Sequence, residues 1–471
     1  MSTAHMRLSE EGAARLRGRT ALVLGAARSG LAAAELLLAA GARVILSDRK
    51  TLAELGGLPE TLTHPDLQVR LGESPETLFA ACDFVVISPG IPLASPVLDA
   101  ARTLGIPIVG ELALAASCAR QDIAAVSGTN GKTTTVSLLG EMFRASGRDA
   151  YVAGNIGYPL SRAVLDAKSD ADALVAEVSS FQLETVGDFH PHAAALLNIT
   201  PDHLDRHGTM EAYAAHKERL FVNMGPQDSA VLNLDDPLVA GMAPGIRAQV
   251  SWFSLEADVP RGAALRDGHL VLLDGGRMEP LCAAEELRIP GRHNIQNALA
   301  ASAMAAAMGV PTPDIARALR EFRGVEHRIE FVEEIGGVAF LNDSKGTNPD
   351  STIKAVESLR APAVLIAGGY DKQVPFDEMA RVILRSGLVR HVVTLGQTAA
   401  QIREALEKAG YTAVLRAETL GEAVRTAYEL AREGEAVLFS PACASFDMFR
   451  DYEERGRVFK QLVRELKEEQ P

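Results

Sequence analysis

The chain has 471 residues, of which 47% are hydrophobic and 23% charged, and its formal net charge is −14. That balance suits globular cores and excludes a disordered or fibrous chain. It also speaks against nucleic acid as a partner, because a phosphate backbone demands a basic face. Anionic ligands must then be held locally, by loops and helix N-termini.

At about 150 residues per domain, the length fits three domains. Cys82, Cys118, Cys282 and Cys443 lie far apart and form no metal-type pair, which fits free thiols in a reducing compartment. The opening twelve residues carry His5, Arg7, Glu10 and Glu11 and no apolar core, so no signal peptide is expected. The most apolar run, residues 298–310, is too short for a membrane span. A cytoplasmic protein without membrane insertion is the expectation.

Residues 20–24 read as an apolar strand, 25–30 as a glycine turn and 31–40 as a helix ended by Gly41. A second strand, 43–47, closes on Asp48, and a third, 84–88, closes on Ser88-Pro89-Gly90. Strands separated by helices imply a parallel sheet with right-handed crossovers. The alternation lapses near 111–121, which bounds a first domain over residues 1–112. The second, 113–323, opens with a strand at 123–126, a loop at 127–132 and a helix from 133 to about 146. A strand at 173–178 carries Glu177, and one at 193–199 runs into Pro201-Asp202-His203. A helix at 210–222 carries Tyr213 and Lys217. After a strand at 230–234, the Gly- and Pro-rich stretch 241–287 is expected to form short antiparallel strands, and a helix spans 294–308. The βα rhythm resumes beyond 323–328, giving a third domain over 324–471 with strands at 338–341, 363–366, 391–395 and 436–439. The helix at 399–409 sets Ile402, Ala405 and Leu406 on one face. The fold class is α/β in three domains, two of them opening on nucleotide-type turns.

Ser127-Gly128-Thr129-Asn130-Gly131-Lys132-Thr133-Thr134 lies between a strand and a helix. Glycines let the backbone curl so that N–H groups converge on phosphate oxygens, the helix dipole adds positive charge, and a lysine neutralises what amides cannot. A Thr after the lysine can bind Mg²⁺. The general pattern wants glycine at 126, where this chain has Val126; the plain alternative is a glycine turn with a surface lysine. Loops at the carboxyl ends of parallel strands share one crevice. Glu177 and Thr133 can therefore supply oxygen ligands to a hard cation, with Asp202 and His203 on the next loop. Singly, Glu177 reads equally as a solvated carboxylate and His203 as a turn cap. Spacing alone makes Lys217 a solvated surface lysine, and it inclines Asn294 and Asn297 toward helix capping rather than purine recognition.

Together these motifs are similar to a known family. Gly128 to Thr134, Glu177-Val178-Ser179-Ser180-Phe181-Gln182, His293-Asn294-x-x-Asn297, His327-Arg328, Asn342-Asp343-Ser344-Lys345-Gly346-Thr347-Asn348 and Ser440-Pro441-Ala442-Cys443-Ala444-Ser445 resemble, in order, the Mur ligases of peptidoglycan synthesis. The likeness runs over nearly the whole chain; folylpolyglutamate synthetases share the loop and some later motifs. The resemblance implies a Rossmann-like UDP-binding domain, a P-loop ATPase-like domain and a Rossmann-like amino-acid domain. It implies an ATP-dependent amide ligase in which a substrate carboxylate takes the γ-phosphate and an amine then displaces phosphate. Catalytic roles fall to Lys132, Glu177, His203 and Lys217. ATP contacts fall to Gly128, Thr129, Asn130, Gly131, Lys132, Thr133, Thr134, Asn294, Asn297, Arg328 and Asp343. Thr133, Glu177, His203 and Lys217, the last as a carbamate, would hold Mg²⁺.

For UDP-N-acetylmuramoyl-L-alanine the resemblance implies Ser29, Gly30, Asp48, Arg49, Ser88, Gly90, Asn155 and Ser179. For the incoming D-glutamate it implies Lys345, Thr347, Lys372, Ser445, Phe446 and Tyr452, which suit two carboxylates with cations and hydroxyls. Asn348-Pro349 is followed by Asp350, not by the arginine of the diaminopimelate-adding member, which favours D-glutamate. A monomer that closes its third domain over the second is expected, because residues on both sides of the 323–328 junction are implied for ATP and the amino acid. The rival reading rests on Gly25-Ala26-Ala27-Arg28-Ser29-Gly30 with Asp48, an approximate dinucleotide fingerprint with Ala27 for its middle glycine. Alone it would suggest an NAD-dependent oxidoreductase, which has no use for a second phosphate loop at Gly128. A non-catalytic nucleotide switch is a third class and leaves the other two domains without a task.

Overall fold

Short, fully apolar runs bounded by Gly, Asp or Pro become buried parallel strands, because both faces of such a sheet are covered by helices. The computed structural model describes residues 8–55, 57–59, 62–155, 158–200, 204–289, 291–371 and 374–469, the side chains of residues 204, 205 and 350 excepted. The chain divides into two units, Met1–Phe322 and Arg323–Pro471.

The first unit holds two sheets. In one, β1 (Thr20–Leu24), β2 (Arg43–Asp48), β3 (Leu67–Leu71), β4 (Phe84–Ile87) and β5 (Ile108–Gly110) pair in parallel in the order β3-β2-β1-β4-β5. The chain winds outward from β1 to β3 and then restarts on the other side at β4. Such a reversal leaves a crevice at the carboxyl ends of β1 and β4.

The second sheet contains β6 (Asp122–Ser127), β7 (Ala150–Gly154), β8 (Ala173–Glu177), β9 (Ala193–Leu196), β10 (Ser229–Asn233), β11 (Gln249–Ser254), β12 (Arg261–Arg266), β13 (His269–Asp274) and β14 (Arg277–Ala283). Their order is β14-β13-β12-β11-β10-β9-β6-β8-β7. β6 lies between β8 and β9, parallel to both, so the chain again reverses beside the Gly128 loop. The stretch expected as antiparallel differs: β11 and β12 extend the sheet in parallel from β10, and only β12, β13 and β14 run antiparallel. Gly262 permits this, since a Cβ there would lie 1.8 Å from the Trp252 carbonyl oxygen. The helix expected at 210–222 is α-helical over Met210–Glu218 and tightens to a 3₁₀ turn at Arg219–Phe221.

One continuous core joins the two sheets: Leu36 and Leu37 of the first belong with Leu114, Cys118, Phe189 and Leu196. Polar ties reinforce it. The buried Glu111 accepts a hydrogen bond from Ser161 N–H at 2.7 Å, and Arg162 pairs with Glu35 at 3.1 Å.

The second unit is built on β15 (Glu330–Ile335), β16 (Val338–Asn342), β17 (Ala363–Gly368), β18 (Val389–Leu395), β19 (Val414–Arg416) and β20 (Ala436–Phe439), ordered β15-β16-β20-β17-β18-β19. Late insertion of β20 between β16 and β17 brings the loops after Asn342, Gly368 and Phe439 to one sheet end. Among the described residues, all four cysteines are free thiols and no helix is long and apolar enough to cross a membrane.

Candidate active site

β6 runs into the glycine loop, and a helix spans Lys132–Ala145. Gly131 caps it with a φ of 86°, in the left-handed region that favours glycine. The amides of Thr129 and Asn130 turn toward Asn198 beyond β9, bonding its carbonyl at 2.9 Å and its Oδ1 at 2.8 Å. The amides of the first helical turn have no carbonyl partner within the helix, and the helix dipole there favours an anion. Lys132 folds back over the loop, and its Nζ donates to the carbonyls of Gly128 and Thr129 at 2.9 and 2.8 Å.

Lys217 is 1% exposed, so the surface reading suggested by its spacing is wrong. Its Nζ donates to the Gly128 carbonyl at 2.9 Å and lies 4.7 Å from the Tyr213 ring centroid. Two ammonium groups thus meet one carbonyl oxygen. That gathers positive charge beside the loop, where an anion is favoured.

Glu177 ends β8 and is 3% exposed, which corrects the solvated alternative. Its two oxygens accept from Thr133 Oγ1 at 2.8 Å and from Asn155 Nδ2 at 2.9 Å. Asn294 and Asn297 are buried on a helix spanning Arg292–Ala307 whose N-cap is Gly291, so neither is the N-cap residue. Asn297 Nδ2 donates to Asn294 Oδ1 at 3.2 Å, and its own Oδ1 would lie 2.2 Å from a Cβ at Gly131. Ser179 serves as a helix cap, paired with Gln182 in a capping box.

Above the first sheet, a cleft of about 280 Å³ is lined by Gly25, Asp48, Arg49 and Gly90, and also by Ile91 and Val97. Asp48 turns its carboxylate inward, accepting from the amides of Ala26 at 2.7 Å and Lys50 at 2.9 Å. Ser88 Oγ donates to the Leu24 carbonyl at 3.2 Å, and Ser29 and Gly30 open the helix Arg28–Ala39.

In the second unit, Asp343 is 1% exposed and accepts from Ser440 Oγ at 2.6 Å. Burial pushes its pKa up to about 6, against the opposing pull of the Arg328 charge and the Ser440 hydroxyl. Lys345 Nζ lies 5.8 Å from the Tyr452 ring, and the Thr347 amide bonds the Lys345 carbonyl. Arg455 joins the loops, donating to the carbonyls of Ser344, Cys443 and Ala444 at 2.8, 3.0 and 3.0 Å. Ser445 is buried beside that anchor, whereas Phe446 is 64% exposed.

The Mur ligase middle domain matches residues 126–305, the Mur ligase glutamate ligase domain residues 327–443, and the MurD-like N-terminal domain of Mur ligases residues 19–110. The chain belongs to the Mur ligase family.

Relatives of this Mur ligase include a UDP-N-acetylmuramoylalanine–D-glutamate ligase of Pelotomaculum thermopropionicum. It is 49% identical over 446 residues, 95% of this chain and 97% of that one. A protein of the same name from Thermoanaerobacter sp. (strain X514) is 47% identical over 454 residues, 96% and 99% of the two chains. Among solved structures, UDP-N-acetylmuramate-alanine ligase MurC of Thermotoga maritima aligns with a TM-score of 0.60 at 19% identity, covering 95% of this chain and all of its own. MurF of the same organism, in complex with ADP, aligns at 0.58 and 16%, covering 99% and 100%. At those identities the likeness concerns the fold.

Within this Mur ligase the structure brings Lys132, Thr133, Asn155, Glu177, Lys217 and Asn297 around one loop. His203 and Lys372 lie outside the described residues. Sequence reasoning missed Asn198, which holds the loop's first amides, and Arg455. The signal for Arg455 was slight: an arginine followed by Gly456, a glycine inside the helix Tyr452–Glu468.

Proposed function

We propose that this Mur ligase joins D-glutamate to the alanyl carboxylate of UDP-N-acetylmuramoyl-L-alanine, converting ATP to ADP and phosphate, in the cytoplasm and as a monomer. The observation that carries the phosphate chemistry is the meeting of Lys132 and Lys217 on the Gly128 carbonyl, beside the Thr133–Glu177 pair. The names of its relatives support the choice of substrates.

In this reading the first-turn amides and Lys132 hold the β- and γ-phosphates. Asn297, pressed against Gly131, fixes the nucleotide side of the loop, with Asn294, Arg328 and Asp343 as further ATP contacts. The substrate carboxylate attacks the γ-phosphorus, ADP leaves, and an acyl phosphate results. The glutamate amine then adds to the acyl carbon, phosphate departs, and the amine releases a proton. Such transfer depends on positioning and charge neutralisation more than on covalent help from the protein.

The Thr133 hydroxyl and the buried Glu177 carboxylate, 2.8 Å apart, are oxygen donors of the kind a hard cation takes. With His203 and Lys217 they would hold Mg²⁺, which when bound would offset phosphate charge. Lys217 would serve as a carbamate: its neutral amine adds CO₂, a proton leaves, and the cation becomes an anion. Ser29, Gly30, Asp48, Arg49, Ser88, Gly90, Asn155 and Ser179 are assigned to the UDP-linked substrate. Lys345, Thr347, Lys372, Ser445, Phe446 and Tyr452 are assigned to glutamate.

The test is a panel of UDP-muramoyl acceptors and amino acids scored by phosphate release from ATP. Release should require UDP-N-acetylmuramoyl-L-alanine and D-glutamate together. Release indifferent to either, or faster turnover with L-glutamate or diaminopimelate, would sink the assignment.

A further inference from the structure

A ladder of rings and cations leads from the helix Ser180–Leu183, just past Glu177, to the helix carrying Lys217. At its near end, Arg206 makes a bidentate pair with Glu184, Nε to Oε1 and Nη2 to Oε2, both at 2.8 Å. The two side chains are 18% and 10% exposed, so water and salt screen the pair little. The same guanidinium lies 4.0 Å from the Phe181 ring centroid. Phe181 packs on His207 at 5.5 Å, and His207 on Tyr213 at 5.3 Å. His207 Nε2 is also 3.0 Å from Ser180 Oγ. At the far end Tyr213 meets the phosphate loop, its hydroxyl 3.2 Å from Thr129 Oγ1, with Lys217 over its ring.

We propose that Arg206 is a positioning residue for the ligase reaction. By gripping Glu184 and Phe181 it fixes the Phe181–His207–Tyr213 stack, and so sets where Tyr213 and Lys217 meet the loop. This holds only if the ligase reading holds, since the benefit of the placement is a γ-phosphate presented in line. The chemistry favours arginine here: a planar fork can pair with both carboxylate oxygens and stack on a ring at once, whereas an ammonium is a point charge. The clamp also acts where it is needed. The helix Ser180–Leu183 has four residues, too few to hold its own shape, so its orientation must come from outside. Arg219 adds a second grip, donating to the Glu184 carbonyl at 3.1 Å.

Arg206→Lys, Phe181→Leu and the exchange Arg206→Glu with Glu184→Arg are compared with the wild-type enzyme. Thermal unfolding, ATP affinity by calorimetry, and kcat and KM for each substrate are measured. Displacing a reacting group by about 1 Å can cost as much as about 100-fold in rate. Arg206→Lys and Phe181→Leu should each lose about tenfold or more in kcat and bind ATP more weakly. Both should keep the wild-type KM for D-glutamate and unfold close to the wild-type temperature. The exchange keeps an ion pair without the stack, so it should unfold close to the wild-type temperature and still lose kcat. Wild-type kcat in Arg206→Lys, or full recovery of kcat in the exchange, overturns the proposal. If the wild-type enzyme forms no amide with any acceptor, the functional reading is what fails. The ATP affinities then decide the ladder, and wild-type affinity in both single variants refutes it.

Discussion

Two glycine turns in one unit, each between a strand and a helix, look alike in sequence and are built differently. At Gly25–Gly30 the tightest approach lies within the turn itself, with Ser88 the main outside neighbour. A Cβ at Gly30 would lie 1.8 Å from the Gly25 carbonyl oxygen, and the nearby Asp48 carboxylate takes the Ala26 amide. At Gly128–Thr134 the pressure comes from distant segments: Asn297 lies against Gly131, Asn198 holds two amides, and Lys217 reaches the Gly128 carbonyl. Strand–turn–helix grammar sets the backbone of both. What packs against each turn sets its chemistry.

Substitutions that act on one turn and not the other test this contrast. The largest effect is expected from Lys132→Ala, which on the proposed reading removes a charge at the transferred phosphate. Losing one such contact costs on the order of 100–1,000-fold in kcat, and phosphate release should fall that far while thermal unfolding stays put. Gly131→Ala comes next. It forces a side chain into a φ of 86° and against Asn297, so ATP affinity should fall about tenfold, since a left-handed conformation alone costs an L residue about 1–2 kcal/mol. Pairing it with Asn297→Ala should relieve only the clash. A Gly131→Ala enzyme with wild-type ATP affinity would mean the loop is not pinned as described.

Gly30→Ala tests the other turn. Crowding the Gly25 carbonyl should cost about 1–3 kcal/mol of stability and raise the KM for the UDP-linked substrate, with calorimetric ATP affinity unchanged. A matching loss of ATP affinity would erase the contrast between the turns.

The smallest effect contrasts two carboxylates. Asp48 is satisfied by two backbone amides, whereas Asp343 is buried with its pKa raised from 3.8 to about 6. A raised folded pKa means the fold binds that proton more tightly than the unfolded chain does. Stability from this group is therefore full below about pH 4 and is lost as pH rises toward 6. Urea unfolding across that range should show the wild-type protein losing ground to Asp343→Asn, and parallel profiles would contradict the assignment.

The strand–helix rhythm was legible because β1, β4, β6 and β20 are short apolar runs with turn residues at their ends, and tertiary packing only reinforced it. The placement of Lys132 and Thr133 was legible because it follows from a strand–loop–helix. Lys217 was not: its helix has no strong apolar face, and burial came from packing against the Gly128 loop rather than from spacing. Only the family likeness singled it out. The parallel pairing of β12 escaped because it depends on Gly262 meeting Trp252 across the sheet. Asn198 and Arg455 escaped for the same reason, since each acts through backbone groups far along the chain.

The central claim is that the Gly128–Thr134 loop presents the γ-phosphate to a substrate carboxylate. Its most direct test uses UDP-N-acetylmuramoyl-L-alanine labelled with ¹⁸O in the alanyl carboxylate, turned over with ATP and D-glutamate, and mass spectrometry of the phosphate released. Attack by the carboxylate carries one labelled oxygen into each phosphate. Phosphate without label, at a yield equal to the amide formed, would contradict the account.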